Sequence, residues 1–272
     1  MIAERPSSIA LETRLRAIVR SLGSCVVAFS GGVDSAVVLA IAAAELGDGA
    51  LGVTGRSASL AERELDGAVA VARAAGAAHE VLATRELEDP RYAANPADRC
   101  YYCKNELYGR LAALAQTRGY AYVVDGFNCD DESDVRPGRK AAREFGVRSP
   151  LAEAGLRKQD VRDLARRLGL DVWDKPALAC LSSRVPYGTA VTVDVLRTIE
   201  RAERAVCDAG FSTCRVRHYG ELARVELPLD ELPRIAADDV RRRVLDGVRA
   251  AGYRYACVDL AGYVTGNLNG GA

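Results

Sequence analysis

This sequence is poor in lysine and histidine, carries no net charge and has no long apolar run. Acidic and basic residues number 37 each, so the formal net charge is zero, which argues against a broad nucleic-acid-binding surface. The longest apolar run, 36–44, is far shorter than the roughly 20 residues that span a membrane. Residues 1–20 are rich in charge and hold no secretion signal. We therefore predict a cytoplasmic protein with no membrane partner.

The scarcity of histidine leaves cysteine as the main candidate metal ligand. His79 and His218 show no ligand spacing, whereas the sequence holds eight cysteines. A disulfide framework is not expected in a reducing compartment. Each cysteine is therefore either a small buried apolar side chain or a chemically active thiol. The first interpretation fits Cys25, Cys207 and Cys257, whereas Cys129 and Cys214 stay open.

Strand-like and helix-like segments alternate along residues 1–175. A short apolar run at 25–29 precedes a glycine pair and a long apolar helix at 34–46, which is the first unit of a parallel α/β sheet. Further helices are predicted at 8–22, 60–75, 98–117, 138–145 and 156–168, and further strands at 50–53, 79–83, 120–124 and 147–151. This order predicts an α/β fold with a doubly wound parallel sheet and right-handed crossovers.

The pattern changes near Lys175. Residues 176–191 hold two prolines and a glycine without a regular period, which predicts a loop at a domain junction. A helix at 193–209, strands at 213–219 and 222–227, a helix at 238–251 and a strand at 253–260 follow. Residues 192–272 are therefore predicted to form a smaller C-terminal α+β domain.

The segment Ser30-Gly31-Gly32-Val33-Asp34-Ser35 lies between the first predicted strand and its helix. Glycines let backbone N–H groups approach a phosphate, and a helix start adds a positive dipole. Ser30 and Ser35 add hydroxyl donors. Asp34 would repel a phosphate directly, so its natural partner is Mg²⁺. The Gly-Lys-Ser/Thr of a P-loop is absent, and the alternative is a tight turn capped by Asp34 and Ser35.

A second polar segment follows the strand predicted at 120–124. Asp125 and Asn128 come at the carboxyl end of that strand, where open parallel sheets bind nucleotides. We predict that both contact the nucleotide, although Asp125 could equally be a turn residue. Asp130 and Asp131 are candidates for assisting Mg²⁺ or for capping the next segment, and the sequence leaves this choice open.

Three cysteines are candidates for chemistry. Cys100 and Cys103 form a Cys-x-x-Cys at a predicted helix start beside Arg99 and Lys104, where a thiol loses its proton more readily. Cys180 lies in the junction loop near Arg184 and supplies a third thiol. Three thiols leave one iron of a four-iron cluster open for external sulfide. Structural zinc, which normally takes four ligands, and thiols without function are the alternatives.

These segments carry two resemblances. The loop 30–35 resembles the motif of the ATP pyrophosphatase (PP-loop) superfamily, whose members cleave ATP between the α and β phosphates and transfer AMP to the substrate. The segment KPALACLSSRVPYG at 175–188 resembles the LarE family, which comprises PP-loop sulfur transferases that help to build the nickel-pincer nucleotide cofactor of lactate racemase. Further matching segments are 125–128 with 130–131, 136–138, 148–151, 215–217, 259–263 and Gly266.

The LarE resemblance implies an AMP-forming sulfurtransferase that uses ATP, Mg²⁺ and a [4Fe-4S] cluster. A carboxylate of pyridinium-3,5-biscarboxylic acid mononucleotide is adenylated with release of pyrophosphate, and sulfur then displaces AMP to give a thiocarboxylate. In some members the loop cysteine itself surrenders its sulfur. In others three cysteines hold a cluster that carries a replaceable sulfide, and Cys100, Cys103 and Cys180 match this arrangement. The implied partners are the mononucleotide, a sulfide donor and further copies of the chain.

The same resemblance implies how the domains divide the work. Residues 1–175 would be the PP-loop ATP pyrophosphatase domain, 176–191 the cysteine-bearing junction loop and 192–272 a substrate-binding and assembly domain. Arg215 and Arg217 alternate along a predicted strand, so they share one face and are predicted to clamp the substrate phosphate. A solvated strand face is the alternative. Further substrate contacts are predicted for Lys104, Ser183 and Arg184.

Other functions remain open at this stage. A tRNA thiolase would also use a PP-loop and three cysteines, but it predicts a basic surface that zero net charge disfavours. An amide-forming NAD or GMP synthetase would give Cys180 no task. A nucleotide sensor without turnover would bind ATP and release no pyrophosphate.

Overall fold

The structure is a computed structural model that describes residues 7–133, 137–176 and 179–263. Arg136 and Gly266, which belong to motifs quoted above, and Ala177 and Leu178 of the junction loop lie outside the described residues. The chain divides into two compact units. The first comprises Met1–Ser57, Glu62–Glu86 and Asp98–Leu178, and the second comprises Ala58–Ala61, Leu87–Ala97 and Ala179–Ala272.

The first unit is a parallel sheet covered by helices. Its strands are β1 (Cys25–Ala28), β2 (Ala50–Arg56), β3 (His79–Ala83) and β4 (Tyr122–Val124). They pair in the order β3-β2-β1-β4, and every pairing is parallel. Its helices are α1 (Ser8–Leu22), α2 (Val33–Leu46), α3 (Glu62–Ala74), α5 (Arg99–Arg118), α6 (Pro137–Glu144), α7 (Pro150–Ala154) and α8 (Lys158–Arg167), while α4 (Pro90–Ala93) belongs to the second unit. The predicted α/β fold with a parallel sheet is confirmed.

The sheet separates two apolar layers, as the alternation of side chains along β1 requires. Cys25 and Val27 face a core built with α1, α2, α7 and α8, whereas Val26 faces a core built with α5 and α6. Burial raises the pKa of the Cys25 thiol to about 12, which confirms the prediction that this cysteine is a buried apolar side chain.

The strand predicted at 147–151 is wrong. Within this segment Arg148 forms a single parallel bridge with Val124, and α7 begins at Pro150. Proline has no N–H for a sheet ladder, and its fixed φ suits the first turn of a helix.

The second unit is a three-stranded sheet with helices. Strands β5 (Arg215–Tyr219) and β6 (Leu222–Glu226) are antiparallel, and β6 pairs with β7 (Tyr255–Val258) in parallel. Helices α9 (Val193–Asp208) and α10 (Asp238–Ala251) contribute a core with these strands, so the predicted α+β character is confirmed. Cys257 is exposed and Cys207 half-buried. The prediction that Cys257 is a buried side chain is therefore wrong, because β7 presents it to solvent.

Candidate active site

The loop between β1 and α2 lies at the carboxyl edge of the parallel sheet. Gly31 has φ 74°, and a Cβ at this position would lie 2.8 Å from the Ala68 Cβ, so a side chain does not fit. The hydroxyls of Ser30 and Ser35 lie 3.1 Å apart. The first N–H groups of a helix have no acceptor within it. The loop therefore presents hydroxyls, N–H groups and a helix dipole at one place, which suits an anion.

The turn after β4 packs directly against this loop. A Cβ at Gly126 would lie 2.7 Å from the backbone nitrogen of Ser35 and 3.0 Å from the carbonyl carbon of Asp34. Glycine is therefore required for the close approach. The chain runs outward from β1 through β2 to β3 and then crosses back to β4, which lies on the other side of β1. The crevice beyond the carboxyl ends of β1 and β4 is thus a topological switch point, where open α/β sheets bind ligands.

Asp34 connects the two turns through its carboxylate. Its Oδ1 accepts a hydrogen bond from Asn128 Nδ2 at 3.2 Å, and its Oδ2 accepts one from Lys158 Nζ. The same Asn128 amide donates to Asp131 Oδ2 at 2.8 Å. Asp130 Oδ2 accepts from the backbone N–H of Lys158 at 2.9 Å, so it caps the start of α8. The structure thus brings Asp34, Asn128 and both acidic neighbours together.

Asp125 is buried at the centre of a separate hydrogen-bond network. Its Oδ1 accepts from Ser149 Oγ at 2.7 Å and from the backbone N–H of Phe127 at 3.1 Å. Its Oδ2 accepts from Tyr108 Oη at 3.1 Å and lies 3.9 Å from Arg139 Nη1. Burial is the main cause that raises the pKa of Tyr108 to about 12, so it stays protonated as a donor. Asp125 therefore fixes the turn after β4.

The Cys-x-x-Cys lies beside this turn. Cys100 is exposed and Cys103 half-buried in the first turn of α5, and residues three apart on a helix share one face. The pKa of the neighbouring Lys104 is raised chiefly by Tyr108, then by Cys103, Asp125 and Cys100, against the opposing effect of burial. The Lys104 ammonium group therefore interacts electrostatically with both thiols and with the Asp125 carboxylate.

In the second unit, a buried ion pair holds the loop that carries Cys180. The Cys180 side chain is exposed and precedes the short 3₁₀ turn Leu181–Arg184. Arg184 is 2% exposed and donates to both carboxylate oxygens of Glu203, at 2.8 and 3.1 Å. Its Nη1 also donates to the carbonyl oxygens of Ala179 and Cys180, at 2.7 and 3.0 Å. The backbone at Cys180 is therefore fixed while its thiol faces outward.

The segment around α4 braces the same loop. Asn95 Nδ2 donates to the carbonyl oxygens of Pro186 at 2.8 Å and Thr189 at 3.0 Å. Tyr92 Oη lies 2.6 Å from Ser182 Oγ, and both side chains are buried. The segment around α4, which lies far upstream in the sequence, thus holds the 3₁₀ turn and the residues after it.

The two arginines of β5 have different surroundings. Arg217 donates to both carboxylate oxygens of Glu226, at 2.9 and 2.8 Å, and to Ser183 O at 2.8 Å. Arg215 is equally buried, but across the described part of the chain it has no ion pair. It donates to Cys214 O at 3.2 Å and to Tyr263 Oη at 3.4 Å. Burial, followed by the nearby Arg184, lowers its pKa. Arg215 is therefore the better candidate to receive an anion.

The predicted site residues fall into both units. The first unit holds the loop, Asp125, Asn128, Lys104 and the Cys-x-x-Cys; the second holds Cys180, Ser183, Arg184, Arg215 and Arg217. Neither unit, within its described residues, gathers three His, Cys, Asp or Glu side chains for a metal ion. Because Cys180 and the Cys-x-x-Cys lie in different units, the three-thiol site stays a prediction.

Sequence reasoning missed several residues of these networks, among them Lys158, Glu203 and Glu226. Glu203 interrupts the buried apolar stripe of α9, and Glu226 stands between the buried Val225 and Leu227. An acidic residue at a buried position of a periodic pattern was the available signal, since such a group needs a buried partner. No comparable signal marked Lys158.

Comparison with known proteins places this geometry in a family. The chain is 44% identical over 255 residues to an uncharacterised protein of Synechocystis, covering 94% of this chain and 95% of that one. It is 39% identical over 258 residues to the pyridinium-3,5-bisthiocarboxylic acid mononucleotide synthase of Lactiplantibacillus plantarum, covering 94% and 92% of the two chains. The chain belongs to the LarE family.

A more distant relative of this chain was also found. An uncharacterised protein of Methanocaldococcus jannaschii is 27% identical over 238 residues, which are 88% of this chain and 90% of that one. No family model matches the sequence. The LarE relationship covers both units, and the parallel sheet of the first unit agrees with a PP-loop domain. Across the described ranges, every helix is too short or too polar to cross a bilayer.

Proposed function

We propose that this LarE-family chain is an ATP-dependent sulfur transferase that converts the carboxylates of pyridinium-3,5-biscarboxylic acid mononucleotide into thiocarboxylates. The observation that carries this proposal is the 39% identity, over nearly the full length of both chains, to a synthase named for the bisthiocarboxylic product. The products would enter the biosynthesis of the nickel-pincer nucleotide cofactor. The proposal includes a cytoplasmic, homo-oligomeric enzyme that receives sulfide from a donor.

The first unit would carry out adenylation. A carboxylate oxygen of the substrate attacks the α-phosphorus of ATP, and pyrophosphate leaves. The N–H groups at the start of α2 and the hydroxyls of Ser30 and Ser35 would bind the phosphates, because they converge at one edge of the sheet. When bound at Asp34, Mg²⁺ would neutralise phosphate charge. The carboxylates of Asp34 and Asp131, both held by the Asn128 Nδ2 group, provide the hard oxygen donors that Mg²⁺ prefers.

The second step would be sulfur transfer. Sulfide sulfur attacks the carbonyl carbon of the acyl adenylate, and AMP leaves with the bonding electrons of the carbon–oxygen bond. A carboxylate alone is a poor electrophile, so the AMP ester supplies the leaving group. When bound by Cys100, Cys103 and Cys180, a [4Fe-4S] cluster would supply an open iron for external sulfide. The exposed Cys180 thiol and the two thiols on one face of α5 are suitable ligands.

The thiols and the substrate phosphate would depend on fixed surroundings. Arg184 and Glu203 hold the backbone at Cys180, and Ser183 is held through Arg217. Arg215 would donate to the phosphate of the mononucleotide, since its buried guanidinium contacts Cys214 O and Tyr263 Oη but no carboxylate among the described residues. Lys104 would keep the Cys-x-x-Cys thiols ionised.

A stepwise assay tests the proposal. Anaerobically purified protein is incubated with ATP, Mg²⁺, sulfide and the biscarboxylic mononucleotide, and pyrophosphate and thiocarboxylate are both measured. We expect both products from the wild type, pyrophosphate alone from Cys180→Ala, and neither from Asp34→Ala. Mass spectrometry after turnover distinguishes a cluster-borne sulfide, with Cys180 intact, from a sacrificial Cys180 that has lost hydrogen sulfide. Absence of pyrophosphate release from the wild type would overturn the proposal.

A further inference from the structure

Asp34, the proposed magnesium ligand, is already paired with a cation, the Lys158 ammonium group. Lys158 Nζ donates to Asp34 Oδ2, while Asn128 holds the other oxygen of the carboxylate. Both partners remain reachable, because the Lys158 side chain is 35% exposed and that of Asp34 is 23% exposed. The pair lies at the carboxyl edge of the sheet, beside the loop.

The position of Lys158 is itself fixed at its base. Its backbone N–H donates to Asp130 Oδ2 at 2.9 Å, and it is the first residue of α8. The ammonium group, in contrast, ends a flexible chain of four methylene groups. The base of this side chain is therefore held next to the loop while the charge at its tip is free to change partners.

An ammonium group and a divalent cation on one carboxylate oxygen repel each other at a separation of a few ångströms. Because Asn128 holds Oδ1, a metal that binds Asp34 through Oδ2 competes with the Lys158 ammonium group for that oxygen. The displaced ammonium then lies beside the anion site at the start of α2, where phosphate is its favoured partner. A metal that arrives without phosphate leaves the ammonium next to the new positive charge, which is unfavourable.

We propose that Lys158 is a positioning residue that bonds Asp34 in the empty loop and transfers to the polyphosphate when the metal–nucleotide complex binds. This inference rests on the proposed use of ATP. It makes metal and nucleotide depend on each other, because each supplies what the other displaces. When metal is present without nucleotide, Lys158 competes with it for Asp34. When nucleotide is present without metal, Lys158 can bind the phosphates only if Asp34 is left without a cation.

The test measures binding rather than activity. Lys158→Met is compared with the wild type for Mn²⁺ alone, by electron paramagnetic resonance, and for ATP in the presence of EDTA, by isothermal titration. Removal of the competing ammonium should tighten Mn²⁺ binding about fivefold. Removal of the phosphate partner should weaken metal-free ATP binding by about the same factor. The two affinities should therefore move in opposite directions.

Lys175→Met is the matched control. Lys175 Nζ pairs with Glu64 Oε2 at 2.9 Å in the same unit, with side-chain exposures of 26% and 22%. We expect this variant to leave both affinities unchanged. Lys158→Arg retains the charge, and should retain the weak binding of Mn²⁺ alone even if Lys158→Met folds poorly.

The outcomes separate the inference from the proposed function. Unchanged Mn²⁺ binding in Lys158→Met, or a parallel loss of both affinities, would overturn the exchange of partners by Lys158. A wild type that binds no ATP under any condition would instead overturn the proposed use of ATP, and the Mn²⁺ arm would still decide whether Lys158 shields Asp34.

Discussion

The two units hold their key residues in opposite ways. In the first unit, the loop carboxylate Asp34 is bonded by one half-exposed lysine, Lys158. In the second, the loop that carries Cys180 is held by Arg184 and Glu203, which are at most 3% exposed. The loop carboxylate Asp34 therefore has a partner that water still reaches, whereas the loop that carries Cys180 is held by a pair that is shielded from water.

Energetics supports this distinction. Ion pairs that are largely exposed to water contribute about 0–1 kcal/mol each. The partly exposed pair of Lys158 and Asp34 is closer to this class than a fully buried pair is, so exchanging its partner costs less. Removing one partner of a buried pair leaves an uncompensated charge and costs about 3–5 kcal/mol. Arg184 and Glu203, together with Arg217 and Glu226, are such buried pairs and support the turn Leu181–Arg184 from two sides. In the proposed reaction, a thiol that meets a short-lived acyl adenylate would benefit from such fixed geometry.

The largest expected effect is that of Glu203→Gln. This change leaves the Arg184 guanidinium buried without a counter-charge and weakens the acceptor for the backbone N–H of Val216, which lies 3.0 Å from Glu203 Oε1. We expect the free energy of unfolding to fall by about 3–5 kcal/mol, measured by urea denaturation with circular dichroism. Hydrogen exchange should accelerate at the Leu181 amide, which donates to Ser59 O, and at the amides of Ser183 and Val185, which donate to Cys180 O and Ser182 O.

An exposed pair in the same unit is the control for this prediction. Arg241 bonds Asp238 on the first turn of α10, with side-chain exposures of 57% and 72%. Arg241→Met should change the free energy of unfolding by no more than about 1 kcal/mol and leave exchange in the 3₁₀ turn as it is. If Glu203→Gln changes the free energy of unfolding and the hydrogen exchange as little as Arg241→Met does, the buried ion pair does not hold the loop that carries Cys180 in place.

The next effect separates the two arginines of β5. Arg217→Met removes a bidentate partner of Glu226, which keeps Arg224 at 3.2 Å, so the free energy of unfolding should fall by about 1–3 kcal/mol. Arg215→Met removes a buried cation that has no carboxylate partner in the described part of the chain, and should leave stability equal or higher. Its affinity for the substrate mononucleotide should instead fall about tenfold to a hundredfold.

Titration calorimetry with the mononucleotide and with its dephosphorylated nucleoside measures this difference. The nucleoside should bind the wild type and Arg215→Met equally, since only the phosphate contacts Arg215 in the proposed site. Equal loss of nucleoside and nucleotide binding would contradict a phosphate-specific role for Arg215.

Much of the first unit was predictable from sequence because its signals are local. The strand, glycine turn and helix at 25–46 appear where apolar runs and Gly31–Gly32 indicate them. The helix bounds 8–22 match α1 residue for residue, and in the second unit the bounds 238–251 match α10 in the same way. The exception at 147–151 had a local cause as well, in the form of Pro150.

The candidate site was predictable by residue type and much less by contact. Cys180 and Arg184 stand out in the junction loop, but nothing in the sequence shows that Arg184 bonds Glu203, which lies 19 positions away. Likewise, Asn95 reaches the carbonyl oxygens of residues 185, 186 and 189 across some ninety positions. Such contacts depend on tertiary packing, which hydrophobic periodicity does not encode.

The smallest expected effect compares the two histidines, one in each unit. Burial lowers the pKa of His79, against a smaller opposing effect of Glu80, and burial also lowers the pKa of His218. Above about pH 6.5, which is the pKa of a histidine in an unfolded chain, both imidazoles are neutral and their protonation does not change the free energy of unfolding. As the pH falls below it, the unfolded chain binds protons that the fold resists, so stability decreases towards acid pH. His79→Gln and His218→Gln should each remove part of this decrease, corresponding to less than one proton.

Urea denaturation between pH 5 and pH 8, with the fluorescence of Trp173 as the probe of the first unit, measures how steeply the free energy of unfolding falls with decreasing pH. His79 bonds the Thr54 hydroxyl, which donates to the carbonyl oxygen of Phe29, directly before the loop at 30–35. The comparison of the units is sharpened if only His79→Gln, and not His218→Gln, flattens the pH profile reported by Trp173. An unchanged acid slope in both variants would show that carboxylates, and not these histidines, set the acid stability of the chain.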